Sequence, residues 1–120
     1  MTAADEKALL ELMDSFTDAL NAHDLEGALA LVTDDFVFES TSPAPDGERI
    51  EGKARVRQVW SDMLQSTPAL KFTVEEQYAL APDRVVVRWK YDWGDGHVRG
   101  VDLMRTRGGK MCESLAYVKG

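Results

Sequence analysis

The sequence has few of the residues that build disulfides, zinc sites and nucleic-acid surfaces. A single cysteine, Cys112, excludes a disulfide within the chain and fits a reducing cytoplasm. With only two histidines, His23 and His97, that cysteine does not make a zinc site. Acidic residues outnumber basic ones by 21 to 14, which gives a net charge of −7. Clustered lysine and arginine bind nucleic acid and anionic membranes, so neither partner is expected.

Several functional motifs and targeting segments are also missing. No apolar run approaches the roughly 18 residues of a membrane span, and "MTAADEKALLELM" has acids where a signal peptide would be basic. The glycine-rich patterns of nucleotide-binding loops and the G-x-S-x-G pattern of hydrolases do not occur. "DWGDG" begins like a calcium loop, but its twelfth position is Leu103 instead of glutamate. We therefore expect a cytoplasmic protein that uses no metal or other cofactor.

The length and apolar content indicate one folded domain over residues 1–120. Hydrophobic residues make up 44% of the 120 positions, and no linker, repeat or low-complexity segment divides the chain. A first helix is predicted to begin near Thr2, where Thr2 and Asp5 resemble a capping box, and to break at "NAHD". Its apolar stripe comprises Leu9, Met13, Phe16 and Leu20.

Two further helices and one strand are predicted in the first half of the chain. Asp24 can cap a short second helix, "LEGALALV", and a third helix is expected at roughly residues 53–65. Between them, "FVFES" alternates as a strand with Phe36, Phe38 and Ser40 on one face. The segment "TSPAPDGER" predicts a loop, because two prolines and Asp-Gly do not fit inside a helix or strand.

The second half predicts four strands in an antiparallel sheet. "LKFTVEEQYAL", "RVVVRWKYDW", "HVRGVDLMRT" and "KMCESLAYV" are separated by the turn signals "APD", "GDG" and "RGG". Helices come first and strands last, an order typical of α+β folds. In the second of these strands a charged face opposes an apolar face that carries Trp89 and Tyr91. These aromatics either pack against the helices or line a cavity.

One carboxylate lies on the apolar face of its predicted strand. Period-two alternation in "HVRGVDLMRT" puts Asp102 on the face of Gly100 and Met104, with Arg99 on the other face. A buried carboxylate is costly unless it is paired, hydrogen-bonded or protonated. Asp102 is therefore either a structural residue satisfied by a tyrosine or arginine, or a pocket carboxyl with a raised pKa. Gly100 would leave room beside it for a ligand or another chain segment.

The order and spacing of these segments resemble the SnoaL-like branch of the nuclear transport factor 2-like superfamily. The similar stretches are "LNAHDLEGALALVTDDFVFE", "IEGKARVRQVW", "VDLMRTRGGKM" and "YVKG", which together extend over nearly the whole chain. The resemblance implies a cone-shaped α+β barrel, with three N-terminal helices packed in a curved antiparallel sheet around an apolar pocket. It also implies a homodimer through the outer sheet face, near Val101 and Leu103. The superfamily includes ketosteroid isomerases, polyketide cyclases, epoxide hydrolases and non-catalytic binders.

The catalytic sets of these relatives are matched only in part. "VDLMRTRGGKM" places Asp102 at the position of the hydrogen-bond-donating acid of ketosteroid isomerases. Their base is replaced by Ser40, which cannot abstract a proton from carbon unaided, and their tyrosine is replaced by Phe16. The Asp–Arg–Asp set of the epoxide hydrolases is absent, because Arg99 lies on the opposite face and Ala116 stands at the second aspartate position. The cyclase branch needs one inward acid, which Asp102 could supply.

Two hypotheses of function follow. In the first, the protein binds a small apolar, polyketide- or steroid-like molecule, and Asp102 is the acid/base of a metal-free isomerase- or cyclase-like reaction or an orienting donor. The expected ligand-binding residues are Phe16, Phe38, Ser40, Trp60, Tyr78, Trp89 and Tyr91. In the second, the same fold is a non-catalytic ligand-binding or dimeric assembly module, whose cone is filled by its own side chains.

Overall fold

A computed structural model describes residues 2–80 and 82–119 as three helices and six strands. The helices are α1 (Ala3–Asn21), α2 (Leu25–Leu29) and α3 (Lys53–Ser66). The strands are β1 (Val32–Glu39), β2 (Arg49–Glu51), β3 (Lys71–Leu80), β4 (Arg84–Asp92), β5 (His97–Arg107) and β6 (Lys110–Val118). The α+β class expected from the sequence is confirmed. Across the described residues, no helix is both long enough and apolar enough to cross a membrane.

Helices α1 and α2 begin at the capping residues that the sequence predicts. At α1, the Asp5 backbone N–H donates to Thr2 Oγ1 over 3.2 Å, and the Thr2 N–H donates to Asp5 Oδ2 over 3.1 Å. This reciprocal pair satisfies amide groups that have no partner within the helix. At α2, the Asp24 carboxylate accepts from the Gly27 N–H over 2.9 Å. The apolar stripe of α1 is buried over its whole length, as its helical spacing predicts.

The sheet is mixed, with the order β2-β1-β6-β5-β4-β3. Strands β3 to β6 are antiparallel neighbours joined by short turns, as predicted. Strand β1 runs parallel to β6, which places Phe38 opposite Ser114, so the sheet is not wholly antiparallel. Turn signals fix the direction only of strands that follow each other. The sequence therefore held no such signal for β1 and β6, which come from opposite ends of the chain.

Strand β2 lies at the end of the segment that was expected to be a loop. Its three residues pair antiparallel with β1, and Ile50 stands opposite Phe38 with its side chain buried. The strand is too short for an alternation pattern to be visible in the sequence.

A β-bulge in β3 reverses which residues face inward. The pairing with β4 shifts between Val74 and Glu76, where β3 carries one extra residue. Before the bulge, Val74 stands opposite the buried Trp89, and after it Gln77 stands opposite the buried Val87. An extra residue moves every later side chain to the other face. Period-two counting along β3 therefore fails beyond Val74.

The end of α1 is attached to the sheet by one amide side chain. Asn21 donates from Nδ2 to the carbonyl oxygen of Phe72 over 2.8 Å, and its Oδ1 accepts from the Phe72 N–H over 2.7 Å. The side chain thus pairs with the first part of β3 as a neighbouring strand would. This contact holds α1 across the concave inner face of the sheet, where the buried core lies.

Candidate functional site

A cavity of about 90 Å³ lies between the helices and the inner face of the sheet. Its polar lining residues are Thr17 on α1, Asp102 on β5 and Ser114 on β6. The remaining walls are apolar and are formed by Met13, Phe16, Leu20, Phe36, Phe38, Trp60, Met63, Phe72, Val74, Val87, Trp89, Met104 and Met111. Small apolar cavities of this order can hold a molecule of a few heavy atoms.

Aromatic rings form two groups in the cavity wall. Around Trp60 lie Phe16, Phe36 and Phe38, with ring centroids 5.3, 5.8 and 6.1 Å from its own. The rings are inclined to Trp60 by between 52° and 62°, so they do not stack face to face. On the sheet side, the ring of Phe72 lies edge-on to Trp89 at 6.0 Å. Inclined and edge-on pairs of this kind are the usual arrangement of aromatic rings in a protein interior, and all of these rings also line the cavity.

Four methionines supply much of the rest of the wall. Met13 and Met63 come from helices α1 and α3, and Met104 and Met111 from strands β5 and β6. Methionine has an unbranched and flexible side chain that adapts to irregular spaces. The cavity can therefore change shape by side-chain rotation more readily than a wall of leucine and isoleucine would.

Asp102 is an isolated acid in this apolar surrounding. On β5 it stands opposite Val87 of β4 and Ala116 of β6. Its Oδ1 is sealed from solvent and has no hydrogen-bond partner among the described residues. The rest of the side chain lines the cavity. Burial raises the pKa of Asp102 from its ordinary value of 3.8 to about 7.

Trp89 is the one neighbour that opposes this shift. Its indole N–H favours the ionised carboxylate and so lowers the pKa of Asp102, though by less than burial raises it. Trp89 Nε1 is itself buried and makes no well-aligned hydrogen bond within the described chain. A buried donor and a buried acceptor thus lie close together without a properly formed bond. Each unsatisfied group of this kind costs about 1–3 kcal/mol.

Gly100 explains why the Trp89 ring can lie where it does. A Cβ atom on residue 100 would come within 2.5 Å of Trp89 Cζ2 and within 2.3 Å of the Tyr117 carbonyl oxygen. The space that a glycine was expected to leave beside Asp102 is therefore used by a protein ring. It belongs to the close approach of another chain segment rather than to an open ligand subsite.

The carboxyl group of Asp102 can transfer a proton to a molecule in the cavity or form a hydrogen bond with it. With a pKa near 7, Asp102 is present at neutral pH in comparable amounts as carboxylic acid and as carboxylate. It can therefore donate a hydrogen bond, give up a proton or accept one. Across residues 2–80 and 82–119, no group of three His, Cys, Asp or Glu side chains is placed to hold a metal ion.

Five of the residues expected at the site line the cavity. They are Phe16, Phe38, Trp60, Trp89 and Asp102. Arg99 is confirmed on the opposite side of the sheet, where its Nε lies 3.0 Å from the Glu75 carboxylate. The three other expected residues are placed elsewhere, each for a local reason.

Ser40 lies in the loop after β1 and does not reach the cavity. The strand ends at Glu39, so the alternation that put Ser40 on the inner face no longer applies. Its hydroxyl donates to the Ser42 carbonyl oxygen over 2.8 Å and accepts from the Glu48 N–H over 3.1 Å. Ser40 therefore organises the loop between β1 and β2.

Tyr78 and Tyr91 also lie outside the cavity lining. Tyr78 follows the bulge in β3 and is turned to the outer face, where it is 53% exposed and donates to the Glu76 carboxylate. Tyr91 is near the end of β4, where its ring packs 4.8 Å from the ring of Phe72, and Phe72 lines the cavity whereas Tyr91 does not.

Several wall residues were not singled out from the sequence as ligand contacts. Phe36 and Met104 each lie two positions from a predicted site residue on the same strand, a spacing that could have identified them. Phe72 and Val74 share the inner face of β3 before the bulge. No comparable signal existed for Met111 and Ser114, which lie three positions apart on β6 and share a face because the pairing of β5 with β6 shifts between them.

Comparison with known proteins identifies the family. A SnoaL-like domain model matches residues 13–114. The chain belongs to the SnoaL-like family. No curated protein matches the sequence significantly.

Solved structures agree with this membership. A nuclear transport factor 2-like protein of unknown function from Mesorhizobium loti is 38% identical, with a TM-score of 0.83 over 96% of this chain and 93% of that one. A SnoaL-like protein of unknown function from Burkholderia thailandensis is 25% identical, with a TM-score of 0.82 over 100% and 99% of the two chains. A candidate ketosteroid isomerase from Kribbella flavida, 22% identical, matches with a TM-score of 0.81 over 97% and 81%, and shows the common fold alone.

Proposed function

We propose that this SnoaL-like protein binds a small, largely apolar molecule in its cavity and that Asp102 acts on it as general acid/base or orienting hydrogen-bond donor. The observation that carries the proposal is a carboxyl in a mostly apolar cavity, whose Oδ1 is buried and has no hydrogen-bond partner among the described residues. A structural aspartate would be expected to have hydrogen-bond partners, since an unpaired buried polar group reduces stability. A carboxyl held in this way, with a pKa near 7, is suited to acid–base work at neutral pH.

The family supports this chemistry. The chain belongs to the SnoaL-like family, whose superfamily includes ketosteroid isomerases and polyketide cyclases, and this membership favours a reaction at a carbon next to a carbonyl. Asp102 is the only ionisable side chain among the described residues of the cavity wall. Such a reaction would therefore use a single group that first accepts a proton and then returns it.

Intrinsic fluorescence is a direct test of binding. Trp60 and Trp89 line the cavity, whereas Trp93 lies outside it and is partly exposed. Titrations would use a Trp93→Phe background with two small ketones, 3-cyclohexen-1-one and cyclohexanone, because a cavity of about 90 Å³ takes only a few heavy atoms. Saturable quenching by either probe supports the binding role. An unchanged spectrum with both ketones and with further apolar probes would count against it.

Catalysis is tested with 3-cyclohexen-1-one, whose isomerisation to 2-cyclohexen-1-one produces an absorbing conjugated enone. The proposal expects Asp102→Asn to keep binding and to lose turnover, because the amide cannot accept and return a proton. Binding in the wild type without any turnover would favour the second hypothesis, a non-catalytic binder of the same fold. Turnover that survives Asp102→Asn would remove Asp102 from the mechanism.

We also propose that a second copy of the chain covers the outer sheet face. Three side chains there are large and exposed: Tyr78 (53%), Leu103 (41%) and Tyr117 (56%). The pairing places them in one stripe, with Tyr78 beside Val86, Val86 beside Leu103, and Tyr117 beside Val101. Arginine and glutamate side chains, joined in ion pairs, lie beside the stripe. A two-fold interface needs such a self-complementary surface.

Light scattering after size-exclusion chromatography measures this association. The wild type is expected to elute as a dimer at micromolar concentration, and Leu103→Lys as a monomer. Ala8→Lys adds the same charge on the exposed side of α1 and should leave the dimer intact. A monomeric wild type would exclude the proposed dimer.

A further inference from the structure

The cavity carries a negative group but has no positive one to balance it. Of the described residues that line it, Asp102 alone is ionisable, and none is lysine, arginine or histidine. No charged group among the described residues contributes to the pKa shift of Asp102, which comes from burial and from Trp89. A carboxylate that loses its hydration shell is stabilised most by a counter-charge in direct contact. The described residues of the wall do not supply that counter-charge, so a ligand can.

The aromatic walls are suited to the same kind of ligand. The faces of tryptophan and phenylalanine rings carry negative electrostatic potential and attract cations within about 6 Å of the ring centroid. Trp60 and its neighbours are inclined rather than stacked, and Trp89 meets Phe72 edge-on. Each of these residues contributes to the surface of the cavity.

The charge of the whole molecule acts in the same direction. A net charge of −7 attracts cations and repels anions in the surrounding solution. An anionic ligand would in addition meet the Asp102 carboxylate without any basic residue in the wall to offset it. A neutral apolar ligand would enter but would leave the carboxylate unpaired.

We propose that the cavity takes a small organic cation, an aliphatic or quaternary amine, whose charged group lies beside Asp102 and whose carbon substituents contact the aromatic walls. The inference rests on the proposed binding role of the cavity and assigns a ligand class to it. The volume of about 90 Å³ limits the ligand to a few heavy atoms, and the methionine side chains can adjust to its outline. With such a ligand bound, Asp102 is the carboxylate and serves as counter-ion or base.

The pH dependence of binding follows from the ionisation of Asp102. The wall residues that face it from α1, α3, β1, β3, β4 and β6 carry no ionisable side chain among the described residues. A quaternary amine does not titrate either. Its affinity should therefore rise with pH through about 7 and level off above it, as the carboxylate form becomes complete.

Choline and its uncharged isostere 3,3-dimethyl-1-butanol separate charge recognition from simple apolar binding. Both would be titrated by calorimetry and by tryptophan fluorescence in the Trp93→Phe background at pH 8. Choline is expected to bind at least about tenfold more tightly than the alcohol. Asp102→Asn should abolish that preference, so that choline and the alcohol bind with similar affinity. Asp95→Asn removes the same charge from an exposed turn and should keep the preference.

The outcomes distinguish this inference from the proposed function. Equal binding of choline and the alcohol, or a preference that persists in Asp102→Asn, overturns the cation assignment and leaves a pocket for neutral ligands. Binding of the ketone probes without binding of choline does the same. If none of these probes binds to a folded wild type, the cavity is not a ligand site, and both proposals fail.

Discussion

The indole ring of Trp89 occupies the space that a side chain at position 100 would need. The two residues stand opposite each other on β4 and β5, and a Cβ at Gly100 would lie 2.5 Å from the ring. The ring can therefore approach β5 closely, with its N–H near Asp102, two residues further along the strand. The absence of a side chain at Gly100 thus shapes the surroundings of Asp102.

Replacement of Gly100 by alanine should destabilise the fold. The added methyl group meets the Tyr117 backbone as well as the Trp89 ring, so the strain cannot be relieved by side-chain rotation alone. Overpacking of this kind costs about 1–3 kcal/mol. Urea unfolding followed by circular dichroism measures the change. Gly108→Asn is the control, because that position has open space and a φ of 61° that asparagine tolerates. If Gly100→Ala lowers the free energy of unfolding no more than this control does, the proposed crowding at Gly100 is wrong.

Trp89→Phe should raise the pKa of Asp102 above about 7. The substitution removes the indole N–H, which lowers that pKa, and keeps an aromatic ring in the wall. Carbon-detected NMR of the aspartate carboxyl measures the titration directly. Trp60→Phe changes the cavity wall without removing a group that acts on Asp102, so its titration should match the wild type. An unchanged pKa in Trp89→Phe would show that the indole N–H does not act on the carboxyl.

The raised pKa of Asp102 should make the protein less stable as pH rises from 4 to 8. The carboxyl is protonated in both states below pH 4, whereas near pH 8 the folded state must hold an unpaired carboxylate that water solvates in the unfolded chain. A shift from 3.8 to about 7 corresponds to a penalty of up to about 4 kcal/mol above pH 7.

The Asp102→Asn variant isolates this contribution from that of the other acids. Its free energy of unfolding minus that of the wild type should increase by several kcal/mol between pH 4 and pH 8. Urea titrations at half-unit pH steps give the two curves. Parallel curves would mean that the pKa of Asp102 is the same in the folded and unfolded states.

Asn21→Ala should loosen the contact between α1 and β3. The variant loses two hydrogen bonds to the Phe72 backbone, of 2.7 and 2.8 Å, and leaves both backbone groups partly buried without a partner. A loss of about 2 kcal/mol in the free energy of unfolding is expected. Gln58→Ala removes an exposed side-chain bond to Asp62 on α3 and should change stability by less than about 0.5 kcal/mol. Equal effects of the two variants would contradict the anchoring role of Asn21.

Much of the fold follows from local patterns in the sequence. The capping residues Thr2 and Asp24 mark the helix starts, and the helical spacing of apolar residues gives the buried side of α1. Turn signals place three of the strand connections. Each of these features depends on neighbours within a few residues, and each of these patterns is present in the structure.

The site is harder to predict because long-range pairing decides it. Asp102 and Trp89 lie on regular strands, so alternation alone places them inward. Tyr78 is displaced by a bulge that nothing in "TVEEQY" announces, and Ser40 is displaced by the end of its strand. The volume enclosed by the walls depends on how the helices sit against the sheet, which no periodicity encodes.

The parallel pairing of β1 with β6 has a consequence for how the cavity comes into existence. One wall carries Phe36 and Phe38 from the first strand, and the neighbouring wall carries Met111 and Ser114 from the last. These strands are separated by most of the chain, so their contact has a high sequence separation and is slow to form compared with the hairpins. The chamber beside Asp102 is therefore closed only when β1, from the first third of the chain, is paired with β6 at its end.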